Sequence, residues 1–426
     1  MEKKKKKNEK VLLKSEYAQK NHIGQGLPVY NPNAAGIDVG DTMHDVAISK
    51  ENSHEVRKYN SYTEDLRILV AWLKEEGITT VAMESTGIYW LNLYLLLEEA
   101  GIDPYLVNAK HVKNVTGRKR DDTDAIWLQK LHSCGLLQKS FQPDAEMRVL
   151  REYVRQRKKL ITFSSDAVRR MQKALEQMNI KLHTVISDIL GKTGMQMVVA
   201  ILDGERNPDE LIKLKDGRIK ANEADIKKSL NGLWKEEYLF MLKQAYDSYR
   251  FYQAQIKECE VKIKECLISQ AAKVLDGDIS DLEIEKDRKL RKNEFAFNAE
   301  SLLSIIVGVN LCRIDCISEI SALEFISETG TDMSKWKNGK HYAAWLNLAP
   351  NTKITGGKII SSKMRYRVGK KGAVVVGAHK IARIIYVMIR DKEEFNPQMF
   401  MKHQQKWTEN RIKQLENQLQ KLKVSN

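Results

Sequence analysis

Hydrophobic and polar positions change their period several times along the 426 residues. Residues 36–39, 45–49 and 54–59 alternate with period two and predict strands, the first two close enough to form a hairpin. Leu66, Leu69, Val70 and Leu73 then recur at helical spacing. A strand is expected over 79–84, with Ser85 and Thr86 as caps for a helix over 88–100, and another strand over 102–107. From Met147 to Leu182 the spacing becomes an unbroken 3,4 alternation, through Leu150, Val154, Arg157, Ile161, Ser164, Val168, Met171, Leu175 and Met178. Only Arg157 and Ser164 interrupt it with polar groups. A second such run extends from Tyr238 to Cys266. Two stripes of this kind predict a coiled-coil hairpin, or arms that pair between protomers. The stretch 191–233 between them is mixed and shows no chemistry, and 276–292 is charged and reads as a linker. An apolar helix ends near Gly308, and 406–426 carries Ile412, Leu415, Leu419 and Leu422 on one stripe of a polar helix.

These changes divide the chain into a basic flexible arm (1–33), an α/β domain (34–145) and a helical region with an insert and a linker (146–299). A mostly helical C-terminal domain (300–405) and a terminal helix (406–426) follow. Charge adds a partner. Lys and Arg number 71 against 56 Asp and Glu, leaving +15, a surplus that points to a polyanion, nucleic acid before a membrane surface. The first 30 residues hold eight lysines and three glutamates, and 351–390 hold ten Lys or Arg and no acid. Five cysteines without a C-x-x-C pair suggest a reduced, intracellular chain. Histidines at no ligand spacing argue against zinc. A lysine run without an apolar core behind it is not expected to be a signal peptide. The longest apolar stretch, 373–389, is broken by His379, Lys380 and Arg383 and is not expected to span a bilayer.

The candidate chemistry is carboxylate chemistry. Asp38 lies in the middle of the first strand, on the same face as Gly36 and Gly40, and flanking glycines clear room for a ligand, a metal or a phosphate. Glu84 ends a later strand. Asp121 and Asp124 lie three apart at a helix start and share a face, where acidic residues also simply suit the helix dipole. Asp122 falls off that face. Four carboxylates at one sheet edge repel unless cations lie between them, and two Mg²⁺ (or Mn²⁺) ions clamping a phosphodiester fit the arrangement. Lys110, Lys113, Arg118, Lys119 and Arg120 surround it, ready to carry a nucleic-acid backbone.

The order β-β-β-α-β-α-β-α is that of the ribonuclease-H-like fold, to which RuvC-type nucleases belong. Ala35-Gly-Ile-Asp-Val-Gly, Met83-Glu-Ser-Thr-Gly, and Gly117-Arg-Lys with Asp121-x-x-Asp124-Ala resemble the D-E-D-D motifs of IS110-type (IS110/IS116/IS902) transposases. That resemblance implies a RuvC-like domain with a metal site at Asp38, Glu84, Asp121 and Asp124. It extends to a C-terminal transposase domain with a helix-hairpin-helix-like piece around Gly308, where Asn310 stands in place of a common second glycine. The family's nucleophilic serine precedes a paired glycine; here Thr355 stands at that place. Thr355 as nucleophile, Ser361 or Ser362 as its substitute, and an impaired copy are the three readings. Lys353, Lys358, Lys363, Arg365, Arg367, Lys370 and Lys371 surround this stretch.

The function so implied is site-specific recombination of double-stranded DNA through a covalent hydroxyl-linked intermediate. The resemblance further implies a structured guide RNA and a homo-oligomer, dimer or tetramer, in the bacterial cytoplasm. Two alternatives stand beside it: a RuvC-like structure-selective endonuclease that hydrolyses junctions with water, and a non-enzymatic basic coiled-coil protein that binds nucleic acid. Asp38-Val-Gly-Asp-Thr also fits the phosphate loop of sugar kinases and actin-like ATPases, but no second phosphate loop or adenosine-contacting glycine pair accompanies it.

Overall fold

A computed structural model describes residues 27–349 except 52, 86, 110–111, 113–122, 278 and 280–281. It also describes 22–23, 352–355, 358–362, 370–398 and five positions between 408 and 416. The chain forms two compact units, Met1–Gln142 and Pro143–Asn426.

Unit 1 is built on a five-stranded sheet. Its elements are β1 (Ala34–Val39), β2 (Met43–Ser49), β3 (His54–Asn60), α1 (Thr63–Glu75), β4 (Thr80–Glu84), α2 (Trp90–Glu99), β5 (Asp103–Val107) and α3 (Asp124–Ser133). The spatial order is β3-β2-β1-β4-β5. The first three strands form an antiparallel meander, and β4 and β5 join it in parallel. Alternation sorts the side chains to two faces. Ile37, Val46, Met83 and Leu106 pack with Leu69 and Leu73 of α1 and Leu93 and Leu97 of α2. Ala82 and Val107 pack on the opposite face with Trp127, Leu128 and Leu131 of α3. Leu69, Leu73, Leu93 and Leu97 are fully buried, each contributing roughly 1.5–3 kcal/mol by leaving water.

One helix start differs from expectation. The Ser85 amide donates to the Val107 carbonyl, which carries the parallel ladder one residue past β4 and leaves Ser85 several residues short of the helix start. The turn passes through Gly87 at φ +56°, and α2 begins at Trp90, with Tyr89 before it and no side-chain cap. Thr86 lies outside the described residues. Residues 30 and 31, expected in the flexible arm, are tied to the fold: both amides donate to the Ser133 carbonyl.

In unit 2 the long helices α4 (Ala145–Gln177) and α7 (Glu236–Val274) lie antiparallel against each other. The polar interruptions of the stripe find partners. Arg157 donates to Glu260 at 2.8 Å and to the Asn293 carbonyl at 2.6 Å. Ser164 accepts from Gln253 at 2.9 Å. Burial raises the Glu260 pKa, against the pull of Arg157. The buried face also rotates around α4. Leu160, Ala167 and Ala174 are buried, while Ile161 and Val168 of the expected stripe are half-buried. The covering neighbour changes along the helix. Near its start Arg151 binds the carbonyls of Ser327 and Glu328; near its end Met171, Ala174 and Leu175 pack on the insert.

That insert folds around α5 (Lys192–Leu202) and α6 (Glu223–Leu230), with Met197, Val198, Ile201, Ile226 and Leu230 in its core. Within the charged stretch expected as a linker, Lys286 is half-buried and ion-paired with Glu294 and Glu319. Then come α8 (Ala299–Val307), α9 (Glu319–Thr329), α10 (Gly339–Trp345), the antiparallel pair β6 (Thr352–Thr355) and β7 (Lys358–Ser362), and α11 (Lys370–Asp391). Gly308 ends α8 in the left-handed region, φ +80°. Among the described residues no helix is long and apolar enough to cross a membrane.

Candidate functional site

Gly36 organises the face of unit 1 that bears the candidate carboxylates, by clearing space for a helix. A Cβ placed on it would come within 2.8 Å of the Gln129 Cα, and closer still to the Gln129 amide nitrogen and the Ala125 carbonyl oxygen. Only glycine lets α3 lie directly on β1. Polar ties then fix the helix along the sheet. Gln129 donates to the Ala34 carbonyl at 3.3 Å and to Ser133 at 2.8 Å. The Gln129 Oε1 lies 3.0 Å from His54 Nε2, and His132 Nε2 lies 2.8 Å from the Thr80 hydroxyl. Burial pushes the His132 pKa down to about 4, with Asp103 opposing and Lys139 adding to the shift. These contacts run α3 antiparallel to β1, so its N-terminal end approaches the strand end that bears Asp38.

The register places the carboxylates. Asp38 pairs with Asp45 across β1 and β2, and Asp45 pairs with Lys58 across β2 and β3. Glu84 stands next to Asp38 on β4, one step beyond the Ile37–Met83 pair. One level of the sheet therefore reads Lys58, Asp45, Asp38, Glu84, all on the face where α3 lies. Neighbouring strands are about 4.8 Å apart, so Asp38 and Glu84 are lateral neighbours. Asp124 opens α3, where the Thr123 hydroxyl caps the first turn by accepting from the Ile126 amide. The helix covers the level of Gly36. Asp38 and Asp124 are exposed and Glu84 is half-buried. The partial positive charge of a helix N-terminus moderates the repulsion among such carboxylates.

Of the four expected carboxylates, Asp38 and Glu84 are lateral neighbours on the sheet, and Asp124 opens the helix whose N-terminal end approaches that strand end. Asp121 lies outside the described residues, as do Lys110, Lys113, Arg118, Lys119 and Arg120. Among the described residues no three His, Cys, Asp or Glu side chains form a group that could hold a metal. The sequence reading missed Asp45 and Lys58. Their signal was the hairpin itself, because a turn centred on Asp41 and Thr42 makes Asp45 the cross-strand partner of Asp38.

In unit 2, Thr355 is the last residue of β6 and pairs with Lys358 of β7; the paired glycine lies outside the described residues. Ser361 and Ser362 face Lys353 and Thr352 in register, on the far side of an irregularity, so either would act from a different rung. Lys363, Arg365 and Arg367 lie outside the described residues, and Lys370 and Lys371 open α11. The segment around Gly308 is a helix, a 3-10 turn and a helix. The Asn310 amide donates to Glu394 at 2.9 Å, which occupies a donor that a phosphate-binding hairpin would present.

Residues 35–180 match the family model described as a transposase, DEDD_Tnp_IS110. Residues 309–389 match that of the transposase IS116/IS110/IS902 family. Together the two spans cover just over half of the chain. A comparison with curated proteins found no match. The mixed sheet with its helices fits a RuvC-like N-terminal domain. Both halves of the match carry the same assignment, and the chain belongs to the IS110-type transposase family.

Proposed function

We propose that this transposase cuts and rejoins double-stranded DNA through a covalent protein–DNA intermediate, with the carboxylates of unit 1 as its metal-binding edge. The observation that carries the reading is Asp38 beside Glu84 on adjacent strands, at the end of the sheet approached by the helix that opens with Asp124. A donor set of carboxylate oxygens, with no thiolate or imidazole, suits Mg²⁺ or Mn²⁺. Asp38, Glu84, Asp124 and Asp121 would hold such ions. When bound, they supply charge neutralisation at the phosphodiester and at the departing oxygen.

Thr355 supplies the nucleophile. Its Oγ forms a bond to phosphorus and the P–O3′ bond breaks; the hydroxyl proton passes to a base, and the 3′-oxygen takes up a proton as it leaves. The threonine methyl narrows the rotamers from which Oγ approaches, so attack is slower than from serine; Ser361 and Ser362 are the substitutes. The cations of 351–390 bind the DNA backbone around it. The family resemblance supports several protomers, with hydroxyl and carboxylates free to come from different ones, and an element-encoded structured RNA that pairs with donor and target.

The test uses DNA containing the element ends, with the element's RNA present. Asp38→Ala is expected to lower Mg²⁺-dependent cleavage by at least about 10²-fold. Thr355→Ala is expected to abolish the protein–DNA adduct on denaturing gels while DNA binding persists. Unchanged cleavage in the first variant would falsify the metal edge. Cleavage without any adduct would instead favour hydrolysis by a RuvC-like nuclease.

A further inference from the structure

The charged level of the unit 1 sheet begins with a cation. Lys58 lies on β3, the edge strand, and its ammonium is 3.1 Å from Asp45 Oδ2. The Lys58 side chain is 62% exposed and that of Asp45 26%, so the pair stands at the rim with the lysine outermost. The next level along the strands, Asn60 and Met43, is exposed as well. The sheet face beyond α3 is therefore a shelf that is exposed at Lys58 and Asp38 and half-buried at Asp45 and Glu84.

Two simpler roles account for less. An edge-strand lysine discourages strand pairing with another chain, but that needs neither this face nor Asp45. Like charges directly opposite on a sheet are destabilising, and Lys58 does offset Asp45 beside Asp38. Neutralisation alone, however, would have been achieved more simply by an uncharged residue at 45. What the pair adds is an ammonium tethered at Asp45, whose strand lies one spacing or about 4.8 Å from that of Asp38. An ammonium has three donors; Asp45 can take one, and the exposure leaves the others to an incoming anion. A polyanion approaching a row of carboxylates needs a cation at the rim, and lysine binds phosphate as a point charge.

We propose that Lys58 binds a DNA backbone phosphate flanking the reacting one, and that Asp45 is the positioning residue that holds its ammonium over the shelf. This rests on the reading of unit 1 as the DNA-cutting site. The probe is a fluorescently labelled four-way DNA junction, its binding followed by anisotropy in EDTA from 50 to 300 mM salt. Lys58→Met is expected to reduce the slope of log affinity against log salt by about 0.9, the share of one phosphate contact. At 0.1 M salt that is about an eight-fold loss. Lys58→Arg should restore the slope, and the loss should shrink when Lys58→Met is made in an Asp45→Asn background. A purely structural pair would change the melting temperature and leave the slope alone.

An unchanged slope in Lys58→Met overturns the proposal, as does a slope change seen only with a structured RNA of equal charge. If Lys58→Met does not fold, Lys58→Gln is read in the same way. Because binding is measured without metal, failure here is distinct from failure of Asp38→Ala to abolish cleavage.

Discussion

At the scale of single residues, environment decides what each titratable group does. His132 is buried against Thr80, and its ring centroid lies 4.6 Å from that of Tyr105. Its pKa of about 4 in the folded protein lies below that of the unfolded chain, about 6.5. The unfolded state then binds more protons between these values, so stability falls as pH drops through that window and is fully present above it. A shift of this size corresponds to up to about 3 kcal/mol. Urea denaturation at pH 7 and pH 4.5 should show the loss, and His132→Gln should reduce it. The sequence could show that Asp38 is an acid between glycines. It offered Asp45 as a partner only through the length of the hairpin turn, and it could not show that Lys58 pairs with Asp45, because those contacts depend on strand register.

At the scale of elements, strand and helix placement was largely legible. The expected strands at 36–39, 45–49, 54–59, 79–84 and 102–107 correspond to β1 to β5 within about two residues, because alternation reports burial on a sheet. The cap of α2 was not legible: Ser85 has the chemistry of a cap, but the strand runs on through it and the helix starts only at Trp90. The role of Gly36 was legible only in part. Space was expected there for a ligand, and the space is taken by the backbone of α3. Gly36→Ala should push α3 off β1 and cost about 1–3 kcal/mol or more, measured by chemical denaturation. It should also depress Mg²⁺-dependent cleavage beyond what the stability loss explains, because Asp124 opens the displaced helix.

At the scale of the whole molecule, the +15 charge sets how the protein meets nucleic acid. If six phosphates are neutralised, raising salt from 50 to 200 mM should weaken DNA binding about 10³-fold, checked by anisotropy titrations on the wild-type protein. The long helices show the limit of pattern reading at this scale. Their 3,4 spacing announced two long amphipathic helices, and both are present. Which face each buries depends on neighbours far along the chain, and so Leu160, Ala167 and Ala174 replace part of the expected stripe.

The sequence by itself determined the α/β character of unit 1, the amphipathic helices of unit 2, the cationic surplus and the motif residues that join the chain to its family. All of these follow from local composition and period, which a linear chain displays directly. Tertiary structure alone decided that Asp38 and Glu84 stand side by side, that α3 lies on Gly36 with Asp124 at its start, and that Lys58 and Asp45 complete the same level of the sheet. The physical reason is register. A shift of one residue would move every one of these side chains to the opposite face, and register is set by packing between segments that lie far apart in the chain.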